Sequence, residues 1–174
     1  MKRVFINNDN LNKSDLDYEV IRVKGIIINE KDEVLIAHNN NTFQFIGGHL
    51  REEEDMEEAL LREILEETGI LIDDITGPFM LIEAYYKNYF NTSKNVHSKI
   101  YYYKLFTDKM PDLSKTNYDI LERQTDFKLF YVPVKNIKLF LDEGLKNKMI
   151  DKSIYDEMLL VIDEYNRIFG GVYY

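Results

Sequence analysis

The 174-residue sequence contains no cysteine and no tryptophan, and it has only three prolines and eight glycines. Without thiols the chain can form no disulfide and no thiolate zinc site, and it has no cysteine nucleophile, a composition that suits a reducing cytoplasm. With so few prolines and glycines there is no flexible linker to divide it, and no internal repeat is visible. Positive charge is in deficit: 22 Lys and Arg stand against 31 Asp and Glu, for a net charge of −9. That field repels phosphate backbones and anionic lipid, which argues against an extended nucleic-acid platform. No apolar run approaches the roughly 18 residues of a membrane span. The opening MKRVFINNDN has a basic pair but only a short apolar stretch, unlike a secretory signal. The expectation is a soluble, cytoplasmic protein. An anionic small substrate suits such a chain only if a cation bridges the two.

What is present is a globular balance, 45% apolar and 30% charged. At this length a chain buries roughly 70% of the surface it exposes unfolded, enough for one self-sufficient core. Residues 1–17 are rich in Asn, Asp and Lys and read as an N-terminal arm. Val20 to Ile28 is β-branched, Asn29 to Asp32 is turn-like, and Glu33 to Ala37 and Thr42 to Ile46 read as further strands. Asp55 with Glu58 three residues later matches a capping box, and Gly69 suits a left-handed C-cap, which predicts a helix over 56–68. Leu61, Ile64, Leu65 and Thr68 share one side of it. Phe79 to Tyr86, Ser98 to Phe106 and Lys128 to Val134 read as strands, with a polar hairpin loop between the first two and a loop at 107–126. In IYYYKLF each face carries bulk, Tyr101, Tyr103 and Leu105 against Ile100 and Tyr102. Helices follow at about 135–147 and 153–168. Strands mixed with helices predict an α/β sandwich. The tyrosine-rich strands and the stripe of Ile154, Met158, Leu159, Val161, Ile162 and Tyr165 either form the core of one chain or bury against a second copy in a homodimer.

The chemistry concentrates in GGHLREEEDMEEALLREILEETGI, residues 47–70. From Glu52 to Glu67 nine residues are acidic and one, Arg62, is basic. A charge run is usually a solvated helix face. Here, however, Glu63, Glu66 and Glu67 are spaced i, i+3, i+4, so their carboxylates converge on one side and repel. Glu66 and Glu67 also fall in the last helical turn, where the backbone dipole already presents negative charge. A hard divalent cation, Mg²⁺, Mn²⁺ or Ca²⁺, would turn that repulsion into ligation. The Gly47-Gly48 pair just before the helix is either a plain turn or a place where backbone closely approaches a ligand or metal.

Gly48, Glu54 after five residues, then after seven more Arg62-Glu63-Ile64-Leu65-Glu66-Glu67-Thr68-Gly69-Ile70 resembles the Nudix box at every fixed position of its 23 residues. Phe43 to Gly48 is similar to the strand that leads into the box, and Phe130 to Val134 to a late strand, so the resemblance covers roughly residues 18–140. Ile46 stands where many members have proline, which removes a rigid turn but leaves the chemistry intact. The resemblance implies a Nudix-type α/β/α sandwich with a mixed β-sheet and C-terminal helices. It divides the chain into an arm (1–17), a hydrolase core (18–140) and a helical extension packed on the same domain (141–174).

It further implies a metal-dependent pyrophosphohydrolase that uses Mg²⁺ or Mn²⁺ to cleave a nucleoside diphosphate linked to another group by water attack on phosphorus. Glu63, Glu66 and Glu67 would be the metal carboxylates, with the Gly47 carbonyl a further ligand. Arg62 would hold Glu63 or Glu54 in place, and Glu54 would lie nearby as an additional ligand or as electrostatic support. Gly48 would let backbone approach the substrate. His49 would touch phosphate, or else be an exposed loop histidine. For the general base, family members draw on a loop beyond the box or on a box glutamate. That loop offers Asp119, Glu122 and Asp126; Glu122 is preferred for its anchoring neighbours Ile120 and Leu121, against the alternative that all three are solvated. Tyr85 and Tyr86, beyond the box, resemble a base-stacking tyrosine of members that hydrolyse dinucleoside polyphosphates, against a structural role for both. Some domains of this fold sense nucleotides without hydrolysing them, but those commonly lose box acids that are all kept here. A related isomerase of isopentenyl diphosphate relies on a cysteine this chain lacks.

Overall fold

The computed structural model describes residues 1–39, 41–118 and 126–170. Its strands are β1 (Lys2–Ile6), β2 (Tyr18–Ile28), β3 (Glu33–Asn39), β4 (Thr42–His49), β5 (Asp74–Tyr86), β6 (Val96–Phe106) and β7 (Lys128–Pro133). The helices are α1 (Met56–Thr68), α2 (Ile137–Lys146) and α3 (Lys152–Phe169). All seven strands join one mixed sheet in the order β1-β5-β6-β2-β4-β3-β7. β1 runs parallel to β5 and β6 parallel to β2, and the other neighbours are antiparallel.

Because side chains alternate across a strand, each central strand feeds two cores. Val23, Ile27, Leu35, Ile46, Tyr103 and Leu105 pack with Leu60 and Ile64 of α1. Ile26, Ile36, Phe45, Ile82 and Tyr102 pack with Leu141 of α2 and with Met158, Val161 and Ile162 of α3. The result is a sheet with helices on both faces, the expected α/β/α sandwich, and the apolar stripe of α3 is buried in its own chain.

Three local expectations differ. The N-terminal residues are not a loose arm: β1 extends the sheet from Lys2↔Met80 to Ile6↔Ala84, and Val4 and Ile6 pack against the core. Their high polar content hid a five-residue strand. β5 starts at Asp74, not Phe79, because a register shift between Thr76 and Met80 carries Gly77-Pro78 within a strand whose first residues still pair with β6. On α1 the buried residues are Ala59, Leu60, Ile64, Glu67 and Thr68, with Leu61 and Leu65 only half-buried. The 60/64/68 row faces the sheet squarely and the 61/65 row lies at its margin.

β1 is also pinned electrostatically. Glu164 of α3 is 1% exposed. It accepts from Arg167 Nη2 at 2.6 Å and Nε at 2.9 Å, and lies 3.2 Å from Lys2 Nζ. The Arg167 hydrogen bonds outweigh burial and, with Lys2, hold its carboxyl at about 2 against an ordinary 4.5. A carboxyl with a depressed folded value stabilises the fold fully above the ordinary value, and the contribution disappears as pH falls through the window down to about 2. Glu164→Gln should therefore cost about 1–2 kcal/mol at pH 7 in urea denaturation. The difference from wild type should shrink as the pH falls below 4.5; a gap constant across that range would refute the assignment.

Candidate active site

α1 begins at Asp55, whose side chain accepts from the Glu57 and Glu58 N–H groups at 2.9 Å. Glu58 returns a bond from the Asp55 N–H at 3.0 Å, completing the capping box. The helix ends at Gly69, left-handed at φ 70°, whose N–H donates to the Leu65 carbonyl at 2.9 Å. This fixed helix carries Arg62, Glu63, Glu66 and Glu67.

Gly47 and Gly48 do not end β4; they lie within it, opposite Lys24 and Val23 of β2. Gly47 has φ +138°, and a Cβ there would lie 2.1 Å from the Val23 carbonyl oxygen. At Gly48 a Cβ would lie 2.5 Å from the Glu63 carboxyl carbon. The two glycines thus do different work, one backbone conformation and the other close approach of α1.

Arg62 organises the acids. Its Nε donates to Glu54 Oε1 at 2.5 Å and its Nη2 to Glu54 Oε2 at 3.0 Å, the bidentate fork that suits a carboxylate. Nη1 donates to Glu63 Oε1 at 2.7 Å and to Glu66 Oε2 at 3.1 Å. Nη2 also reaches the His49 carbonyl at 3.1 Å. The sequence left Glu63 and Glu54 as alternative partners; the guanidinium takes both, and Glu66 as well. Burial works against the Arg62 charge, yet its bonds to Glu54 and Glu63 hold the guanidinium more firmly protonated than usual. Those bonds draw the Glu54 carboxyl below its ordinary range, whereas burial pushes Glu63 up despite Arg62. Glu67, 3% exposed, lies on the buried side of α1, where Oε2 accepts from the Gly47 N–H at 3.3 Å.

Sequence reading overlooked two residues. Arg51, adjoining the acid run, approaches Glu66 at 3.4 Å, and only its neighbourhood to that run hinted at this. Arg22 of β2 donates from Nε to His49 Nε2 at 3.1 Å, a contact across 27 positions with no local signal. His49 accepts there as a neutral ring, and desolvation and then Arg22 depress its proton affinity. Other expected residues separate. Tyr85 and Tyr86 project to opposite faces: Tyr85 packs edge-on against Phe5 and His97, and Tyr86 lies 5.8 Å from the Tyr89 ring. Asp126 is exposed and paired with Lys128. Asp119 and Glu122 lie outside the described residues.

Among the described residues no three His, Asp or Glu side chains already stand as a metal cage. The donor set nonetheless fits a hard cation. Glu63 and Glu66 converge on a single cationic atom, Arg62 Nη1, and Glu67 is one position further along the same turn. All three present anionic oxygen.

The sequence matches the family model described as the NUDIX domain over residues 19–150. No curated protein matches it. Among solved structures, the MutT protein from Methanosarcina mazei Go1 is similar at TM-score 0.54 and 20% identity, covering 88% of this chain and 98% of that one. The C. elegans Ap4A hydrolase is similar at TM-score 0.55 and 17% identity, covering 87% and 98%. The NUDIX hydrolase from Nitrosomonas europaea is similar at TM-score 0.53 and 17% identity, covering 85% and 88%. At such identities these likenesses speak for the fold. Nudix hydrolases generally use divalent metals and act on small nucleotide-linked substrates. With the domain matched over most of its length and the box acids gathered around Arg62, this chain belongs to the Nudix family and is a hydrolase acting on pyrophosphate bonds.

Proposed function

We propose that this protein hydrolyses the diphosphate bond of a nucleoside diphosphate linked to another group, in a reaction that requires Mg²⁺ or Mn²⁺. The observation that carries this reading is the Arg62 assembly, in which one guanidinium gathers Glu54, Glu63 and Glu66 on the helix that also holds buried Glu67. Glu63, Glu66 and Glu67 are the carboxylates that would hold the cation, with the Gly47 backbone beside Glu67. Bound there, a divalent cation supplies charge neutralisation for the phosphates and makes a water more acidic. Arg62 keeps two of the carboxylates from splaying apart under mutual repulsion, and the capped helix fixes their spacing. Gly48 lets Glu63 approach the strand closely. The three box glutamates are the candidates to accept the proton of the attacking water, because each presents anionic oxygen within the same turn of α1.

A panel of dinucleoside polyphosphates, nucleotide sugars and nucleoside triphosphates, assayed with Mn²⁺ or Mg²⁺ for nucleoside monophosphate or pyrophosphate release, tests this. Turnover of at least one compound that disappears with EDTA is expected. Undiminished turnover in EDTA would overturn the metal requirement, and no turnover of any compound would overturn the substrate class.

A further inference from the structure

The last turn of α1 carries two of the box acids, and a distant part of the chain holds it. A helix leaves its final four carbonyls without partners inside the helix. Here the Leu65 carbonyl takes the Gly69 N–H. The Glu66 carbonyl takes the N–H of Asn117, and the Thr68 carbonyl takes the N–H of Asp112, both at 2.9 Å. Just beyond the helix, Lys109 Nζ donates to the Leu71 carbonyl at 2.7 Å. Residues 109–117 thus lie along the helix end and donate to its carbonyls. Gly69 permits that approach, since a Cβ there would lie 2.1 Å from the Asp112 carbonyl oxygen.

Core burial does not hold this segment in place. No residue from Asp108 to Tyr118 is buried, and Met110 and Leu113 face solvent. Its shape comes from its own bonds around a short 3₁₀ turn, Leu113–Lys115. The Asp112 carboxylate accepts from the Ser114 N–H at 3.2 Å and its hydroxyl at 2.6 Å, and lies 2.8 Å from Lys115 Nζ. The Lys115 N–H donates to the Asp112 carbonyl at 2.9 Å. What this preformed turn meets is the helix end that suits acids least, with no basic residue in the last turn and the negative pole of the dipole. Bonds to the Glu66 and Thr68 carbonyls offset part of that pole. They also fix the backbone of the turn whose side chains are held elsewhere, Glu66 by Arg62 and Glu67 by the Gly47 N–H.

We propose that residues 109–117 clamp the end of α1 and thereby set the affinity of the site for its divalent cation, with the Asn117 N–H as the positioning group. This rests on the proposed metal role of Glu66 and Glu67 and deepens it. Helix ends fray. A frayed last turn must be ordered again before its carboxylates can hold a cation, and that ordering is subtracted from the affinity. Held at its carbonyls, the turn is ordered beforehand. Coupling of this kind is reciprocal, so a bound cation tightens the clamp by the same factor as the clamp tightens the cation.

Calorimetric titration of the full chain with Mn²⁺, without substrate, compares Asn117→Pro with Asn117→Ala. Both lose the side chain, but only the proline variant loses the N–H. Thr116 lies at φ −72° and ψ 150°, the extended region that a residue before proline favours. The proline variant should bind Mn²⁺ about fivefold more weakly than the alanine variant, the size of one lost hydrogen bond. The two should melt together in EDTA, since Asn117 is exposed. Equal affinities would overturn the proposal, and so would a lost affinity matched by a fall in melting temperature, which a merely structural role would give. Amide exchange in the wild type needs no variant: the Asn117 and Asp112 N–H groups should exchange about fivefold more slowly when Mg²⁺ saturates the site. Unchanged exchange there overturns the clamp. A wild type that takes up no divalent cation sinks the metal reading and the clamp together, whereas cation binding indifferent to the proline sinks the clamp alone.

Discussion

Glu67→Gln should lower turnover by at least about a hundredfold while leaving the fold as stable as wild type. Glutamine keeps the shape and an oxygen for the Gly47 N–H, which Glu67 engages at 3.3 Å, so the packing around this 3%-exposed side chain survives. What is lost is one negative charge. Losing a preorganised charge from a reacting site costs on the order of a hundredfold or more. The two readouts, turnover with Mn²⁺ and thermal melting in EDTA, should thus separate, turnover falling while the melting temperature holds. Wild-type turnover in the variant would remove Glu67 from the chemistry. A collapse of melting temperature together with turnover would show that it serves only packing.

Arg62→Lys should fail on both counts. The guanidinium makes five donor contacts, two to Glu54 and one each to Glu63, Glu66 and the His49 carbonyl. A lysine is a single point donor and cannot reproduce a bidentate fork directed at three carboxylates. It would strand the partly buried Glu63, whose carboxyl burial already pushes up. A stability loss of about 2–3 kcal/mol is expected in urea denaturation near neutral pH, with turnover down by tenfold or more as the carboxylates lose their spacing. Glu54, drawn down chiefly by Arg62, works in the same direction. Stabilisation from a depressed carboxyl is present above its ordinary value and lost as acid protonates it, so the gap between wild type and variant should narrow below about pH 4.5. A lysine variant as stable and as active as wild type would show that the charge alone, without the fork, is sufficient.

Much of this site was legible in sequence because its parts are local. The helix over 56–68 was bounded by Asp55, Glu58 and Gly69, and these residues cap it. Such signals act over three or four residues, within reach of a single helical turn. The convergence of Glu63 and Glu66 followed from the same spacing, and Arg62 meets both. The missing parts were long-range. Nothing near Arg22 foretold His49, because strand pairing alone sets Arg22 opposite His49 in β2 and β4. Tyr85 and Tyr86 were both candidates for a single stacking tyrosine, yet consecutive strand residues must face opposite ways, and only the tertiary structure shows what each face packs against.

From the sequence alone came the α/β class, the caps of α1, the acid spacing and the family likeness, because each depends on residues a few positions apart. Only the tertiary structure decided the rest. β1 became an edge of the sheet through its parallel pairing with β5, and Glu67 was buried where its carboxylate meets the Gly47 N–H of β4. Arg22 met His49 across 27 positions and Tyr89 across 67. Contacts of that span depend on strand order and on the faces the helices cover, and no local pattern of side chains encodes either.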